Sequence, residues 1–167
     1  NLYKNQDVRD SFNAKWLECN FEKGHVTLIW DHLYKVAIKE GKYDYFWLAE
    51  DDIEYCEKDW LETLIQSLQT TNDVGIAGMF NGNPNLPMTQ FLVSKKHFDL
   101  FGFAFPLELK NWYCDNWIQE IYPRKYVHYH PEFQCLNAGG EPRYLPAIDR
   151  GEWRELLKKY SKNVKHL

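Results

Sequence analysis

The hydrophobic positions change period several times along the chain, and each change marks an element. From Val26 the apolar residues fall at Val26, Ile29, Leu33, Val36 and Ala37. Steps of three and four predict an amphipathic helix that stops near Gly41. Residues 43–49 are a short, aromatic-rich run of strand-forming residues, the pattern of a buried strand, and it ends abruptly in Glu50-Asp51-Asp52. Helical spacing returns from about Lys58 with Trp60, Leu61, Leu64, Ile65 and Leu68, and Asp59 lies near the start. Residues 74–78 and 89–93 read as strands. Between them, 81–87 is a loop by its Asn, Gly and Pro content. Ser94 predicts the cap of a short helix carrying His97, Phe98 and Leu100, closed by Gly102. A further helix spans 111–121, with Cys114, Ile118 and Ile121 at i, i+4 and i+7, and ends before Pro123. Residues 126–129 are a strand candidate and 137–142 a turn-rich loop. Asp149 then predicts the cap of a last helix with Trp153, Leu156, Leu157 and Tyr160 inward and a lysine-rich, dipole-complementing end.

Alternating helices and strands predict an α/β fold with a mostly parallel sheet flanked by helices. The 167 residues amount to a single domain, with an irregular N-terminal segment over 1–24 and a C-terminal helix and basic tail over 149–167. In open α/β sheets ligands sit beyond the carboxyl ends of strands, where the acidic triplet falls.

Composition narrows the function classes. No apolar run approaches the ~20 residues of a membrane-spanning helix, so no membrane span is expected. The net charge of −4, from 20 basic and 24 acidic residues, disfavours electrostatic capture of nucleic acid. Cys19, Cys56, Cys114 and Cys135 form no C-x-x-C and fit no zinc framework. They read as reduced, mostly buried thiols. With no apolar signal region and no N-x-S/T sequon, this predicts a cytoplasmic protein. The 17% aromatic share suits either a bulky core or a sugar-binding surface.

The candidate chemistry begins at the triplet. Adjacent carboxylates repel one another unless a cation or solvent compensates. Glu50 and Asp52 project to one side if the extended path continues, and two hard oxygen donors there suit Mg2+ or Mn2+. The alternative is a solvated acidic turn ahead of a helix. Asp115 lies among Trp112, Tyr113 and Trp117, where desolvation would raise its pKa towards use as a general base; otherwise it is an ordinary first-turn acid. The three rings offer a stacking face for a sugar, or else core. Gln90 and Thr89 are candidate hydroxyl contacts. His128 and His130 share a strand face, as metal ligands or as packing residues. Asn137, Gly139, Gly140 and Arg143 form a loop with one cation that can close on a diphosphate.

The run from Tyr43 to Glu54, with its Glu-Asp-Asp, resembles the D-x-D segment of GT-A-fold glycosyltransferases, and the helix from Asp59 resembles the one that follows that motif. Residues 89–94, then His97, and residues 110–118 are similar to segments of small glycosyltransferase modules from large DNA viruses. The resemblance covers roughly residues 24–148. It implies a GT-A-like (Rossmann-like) fold, a UDP- or GDP-sugar donor, Mn2+ or Mg2+, and transfer to an acceptor hydroxyl of a glycan or glycoprotein. It assigns Asp52 to the metal, with Glu50 and Asp51 on the same donor and metal loop. His128 or His130 completes the metal site, and Asp115 acts as the base of an inverting transfer. Many relatives carry two acids where this chain has Asp115-Asn116. The strand and helix that hold the nucleotide base in such enzymes are expected to be truncated or shortened, because little chain precedes Glu50. Two other classes remain: a non-catalytic carbohydrate-binding or scaffold module derived from a glycosyltransferase, and a metal-dependent phosphohydrolase.

Overall fold

The computed structural model describes residues 15–140, 145–147 and 150–167. Helix α1, Val26–Glu40, comes first and ends where Gly41 turns left-handed (φ 66°) and its N–H bonds to the Ile38 carbonyl. The face it buries differs from the expected one. Thr27, Trp30, Asp31 and Tyr34 point inward, while Ile29 and Leu33 are exposed. The inward polar groups are all partnered. The Thr27 hydroxyl bonds to the Leu109 carbonyl, Asp31 accepts from the Ala104 N–H (3.0 Å), and the Tyr34 hydroxyl donates to the Ser94 carbonyl (3.1 Å). Burial of satisfied polar groups beside two large rings outweighs the aliphatic stripe.

Five strands follow in chain order: β1 Tyr45–Leu48, β2 Ile53–Tyr55, β3 Ile76–Phe80, β4 Phe91–Ser94 and β5 Val127–Asn137. In space their order is β1-β4-β3-β5-β2. Only β3 and β5 pair in parallel; the other three pairings are antiparallel. The fold is therefore α/β with a mixed sheet, and the mostly parallel arrangement expected from the element order does not form. The reason is local. A parallel return needs a crossover, whereas β3 reaches β4 through a loop and β2 is a short return strand that the sequence pattern did not reveal.

β1 and β2 follow one another in sequence but occupy opposite edges of the sheet. The edges of a flat five-stranded sheet lie about 19 Å apart. Residues 49–52 join them through a turn at Asp51 and Asp52, so the sheet curls until its edges meet. There the Trp47 indole N–H donates to the Tyr55 hydroxyl (2.7 Å).

Each face of the sheet carries its own core. Helix α2, Trp60–Thr70, covers one face with Leu64 and Leu68 against Ala77, Met79, Leu92 and Cys135. Asp59 precedes it in a left-handed conformation (φ 63°) and makes no side-chain cap bond. The larger core lies on the other face, under α1, α3 (Lys95–Phe101), α4 (Cys114–Ile121) and α5 (Arg150–Tyr160). Ser94 caps α3 as expected, its hydroxyl accepting from the Lys96 N–H (3.0 Å). His97 is buried inside this core. Its Nε2–H donates to the Ala104 carbonyl (3.0 Å), Nδ1 accepts from the Tyr122 hydroxyl (2.8 Å), and desolvation pushes its pKa down to about 4.

Among the described residues no helix is long and apolar enough to cross a membrane. All four cysteines are free. Only Cys135 is fully buried and Cys56 is exposed, so the expectation of mostly buried thiols does not hold. Asp149 lies outside the described residues.

Candidate functional site

The strand register delivers the acidic triplet. Ile53 of β2 sits opposite Asn137 at the end of β5, which brings the residues after β5 onto the turn before β2. The Asn137 amide nitrogen bonds to Glu50 Oε2 (3.0 Å) and reaches Asp52 Oδ1 (3.4 Å). The Ala138 N–H donates to the Asp52 carbonyl (2.8 Å). Gly139 is required here, because a Cβ at that position would stand 1.8 Å from Asp52 Oδ2. The extended path assumed for residues 50–52 is replaced by a turn, yet Glu50 and Asp52 are still gathered by one amide. Asp51 is exposed on that turn. From the other side Trp30 of α1 fixes the end of β1, its indole N–H donating to the Ala49 carbonyl (3.2 Å).

Glu50 also lines an open cleft of about 640 Å3. It is also lined by residues 111–116 and Glu120, by Asn85, Leu86, Pro87 and Thr89, and by Val26, Trp30, Trp153 and Arg154. Asp115 and Glu50 thus line one cleft, together with Trp112 and Tyr113. The segment before α4 is pinned by Asn111, whose Oδ1 accepts from the Trp112 N–H (2.7 Å) and the Ala147 N–H (3.2 Å) while Nδ2 donates to the Gly24 carbonyl (3.0 Å). Tyr113 enters α4 with φ 69°, an uncommon conformation for a side chain of this size. Asp115 follows in the first turn. Burial raises its pKa, and the Asn116 N–H, bonded to Oδ1 at 2.8 Å, opposes the rise. Its neighbour Cys114 is a half-buried thiol whose pKa is raised well above its ordinary value, first by desolvation and then by the Asp115 and Glu50 charges.

No family model, curated protein or solved structure matches this chain. The site is therefore read from its own geometry.

Several candidates fall elsewhere. Trp117 is fully buried against Phe101, Phe103 and Tyr160, in the core and away from the acceptor wall, because α4 turns Trp117, Ile118 and Ile121 inward. The Gln90 side chain is buried beside Thr89, its amide nitrogen on the Thr89 hydroxyl (2.9 Å), and only Thr89 reaches the cleft. His128 and His130 face α2, across the sheet from the cleft. His128 Nε2 meets the Thr71 hydroxyl (3.1 Å), and His130 bonds Ser67 (2.8 Å) and Glu132 (2.8 Å). Burial and the neighbouring His130 lower the His128 pKa. The two histidines precede the irregularity in β5, and Asn137 lies at the strand's far end, so neither joins the triplet. Among the described residues no group of three His, Cys, Asp or Glu side chains is placed to hold a metal. Arg143 lies outside the described residues.

The cleft also contains residues that the sequence reading passed over. Trp153 was assigned to core; it is buried, but it also lines the cleft and stacks on Tyr113 (14° between planes). Arg154 and the loop over 85–87 carried no motif. That loop is shaped by its own asparagines: Asn81 accepts from the Asn83 N–H and Asn83 from the Asn85 N–H (both 3.0 Å).

Proposed function

We propose that this chain is a metal-dependent glycosyltransferase with a GT-A-like fold, moving a sugar from a nucleotide sugar to an acceptor hydroxyl. The observation that carries the reading is the meeting of Glu50 and Asp115, far apart in sequence, in one aromatic-walled cleft. Tryptophan and tyrosine faces suit the C–H faces of sugars, and a carboxyl with a raised pKa suits proton transfer.

Mg2+ or Mn2+ characteristically takes one or two carboxylates, its remaining ligands coming from water and substrate phosphates. Glu50 and Asp52, gathered by the Asn137 amide, fit that requirement and would hold the ion. Bound there, it would neutralise the departing diphosphate. Asp115 accepts the proton of the acceptor hydroxyl while the hydroxyl oxygen attacks the anomeric carbon. The bond from that carbon to the diphosphate oxygen breaks, and its electron pair leaves on the diphosphate. A single displacement with one base favours inversion. Trp112 and Tyr113 hold the acceptor ring, and the surrounding walls exclude water.

A thermal-shift screen of UDP- and GDP-sugars with and without Mn2+ tests this reading, because a ligand that binds only the native state raises Tm. A Mn2+-dependent rise that Asp52→Ala abolishes supports it; no rise with any donor rejects it. The tryptophan and tyrosine rings that line the cleft also suit a second reading, a non-catalytic carbohydrate-binding module. That reading predicts glycan binding without any response to Mn2+.

A further inference from the structure

The transfer chemistry leaves the cleft's one cation among the described residues unused. Arg154 reaches the cleft from α5, and no other Lys or Arg lines it among the described residues. The guanidinium lies over the Trp153 ring, 5.5 Å from its centroid. Trp153 stacks in turn on Tyr113, with centroids 6.1 Å apart. This ring stack leads from Arg154 to within two residues of Asp115. Asp52, by contrast, is held by the residues after β5 and is not part of the cleft lining. Glu50 lines the cleft as well, but the ring contacts tie Arg154 to the Asp115 segment, where an acceptor would lie.

Charge supports the same placement. Glu50, Asp115 and Glu120 line this cleft, so an anionic group is repelled over most of it and attracted only at the Arg154 wall. A guanidinium resting against an indole still presents a planar fork of donors that matches a carboxylate or phosphate. We infer that Arg154 selects an acceptor sugar bearing a carboxylate or phosphate group. This inference rests on the transferase reading and adds the acceptor's charge to it.

The test titrates wild type, Arg154→Gln and Arg154→Lys with glucose, glucuronate and glucose 6-phosphate, following the fluorescence of the cleft tryptophans. The two anionic sugars should bind wild type at least about tenfold more tightly than glucose, and added salt should shrink the preference. Arg154→Gln should remove the preference. Arg154→Lys, which keeps the charge but loses the fork, should retain part of it. Equal binding of the three sugars by wild type overturns the inference, as does a preference that survives in Arg154→Gln. UDP serves as a further probe. If Arg154→Gln weakens UDP while leaving the preference among sugars intact, the guanidinium serves the donor and the inference fails. The transferase reading fails separately, on the absence of Mn2+-dependent stabilisation by nucleotide sugars.

Discussion

Two sets of titratable side chains in this protein have opposite surroundings. His97, His128 and His130 are each bonded to a hydroxyl or carbonyl inside the fold, and for His97 and His128 burial favours the neutral ring. Glu50, Asp115 and Glu120 instead converge on an open cleft walled by rings, and at Asp115 burial works against the charged form. The hydrogen bonds of His128 and His130 tie the sheet to α2 and its end, and those of His97 tie α3 to Ala104 and Tyr122. The carboxylates share the lining of one open cleft, where a ligand can reach them. The contrast separates titratable groups that build the fold from those available for chemistry.

The largest expected effect tests the cleft side. Asp115→Asn should lower transfer by about 10²- to 10⁴-fold. Asn keeps an oxygen for the Asn116 N–H and removes a charge whose burial is unfavourable, so Tm should hold or rise. A fall in Tm with unchanged transfer would assign Asp115 to structure. Next, Trp117→Ala should cost about 3–5 kcal/mol in urea unfolding, as for a large ring removed from a core. Trp112→Ala, at an exposed cleft wall, should leave stability within about 0.5 kcal/mol and weaken sugar binding instead. Equal stability losses in the two variants would erase the division between core and cleft rings.

Smaller effects probe the histidines and the acid loop. The folded pKa of His97, about 4, lies below its ordinary 6.5. The unfolded chain therefore binds this proton first, and the stability from neutral His97 is full above pH 6.5 and lost as pH falls towards 4. The loss is on the order of 3 kcal/mol. Unfolding midpoints across that range should slope accordingly, and His97→Met should flatten the slope whatever its absolute stability. Gly139→Ala forces the Asp52 carboxylate to rotate away; it should reduce the Mn2+-dependent rise in Tm while barely changing Tm without metal. The smallest effect belongs to His130→Ala. It should cost roughly 1 kcal/mol for its lost hydrogen bonds and leave the Mn2+ response unchanged. A lost Mn2+ response would return His130 to the metal site.

Much of the local structure was legible in the chain. α1 ends at Gly41, Ser94 caps α3, and α4 stops just short of Pro123, because these residues act within one turn of backbone. The strand before Glu50-Asp51-Asp52 was legible from its cluster of aromatic and apolar residues. The face that α1 buries was not, because Thr27 and Asp31 become inward residues only when the 104–110 segment supplies their partners. β2 was hidden because its three residues follow an acidic turn and gain their pairing from the end of β5.

The site divides in the same way. The chemistry of Glu50, Asp52 and Asp115 was visible in residue type and neighbourhood, since charge repulsion and aromatic flanks are local properties. Their grouping was decided by the curl of a mixed sheet. It brings the two edges together, presents Asn137 to the triplet and sets the α4 entry across the cleft from Glu50. Strand direction was also decided there, since a pattern of hydrophobic positions reads the same for parallel and antiparallel neighbours. The sequence by itself determined the helices, the strands other than β2, and which residues carry charge. The tertiary structure decided which of those charges share a cleft and which are absorbed into hydrogen bonds, because both depend on partners distant along the chain.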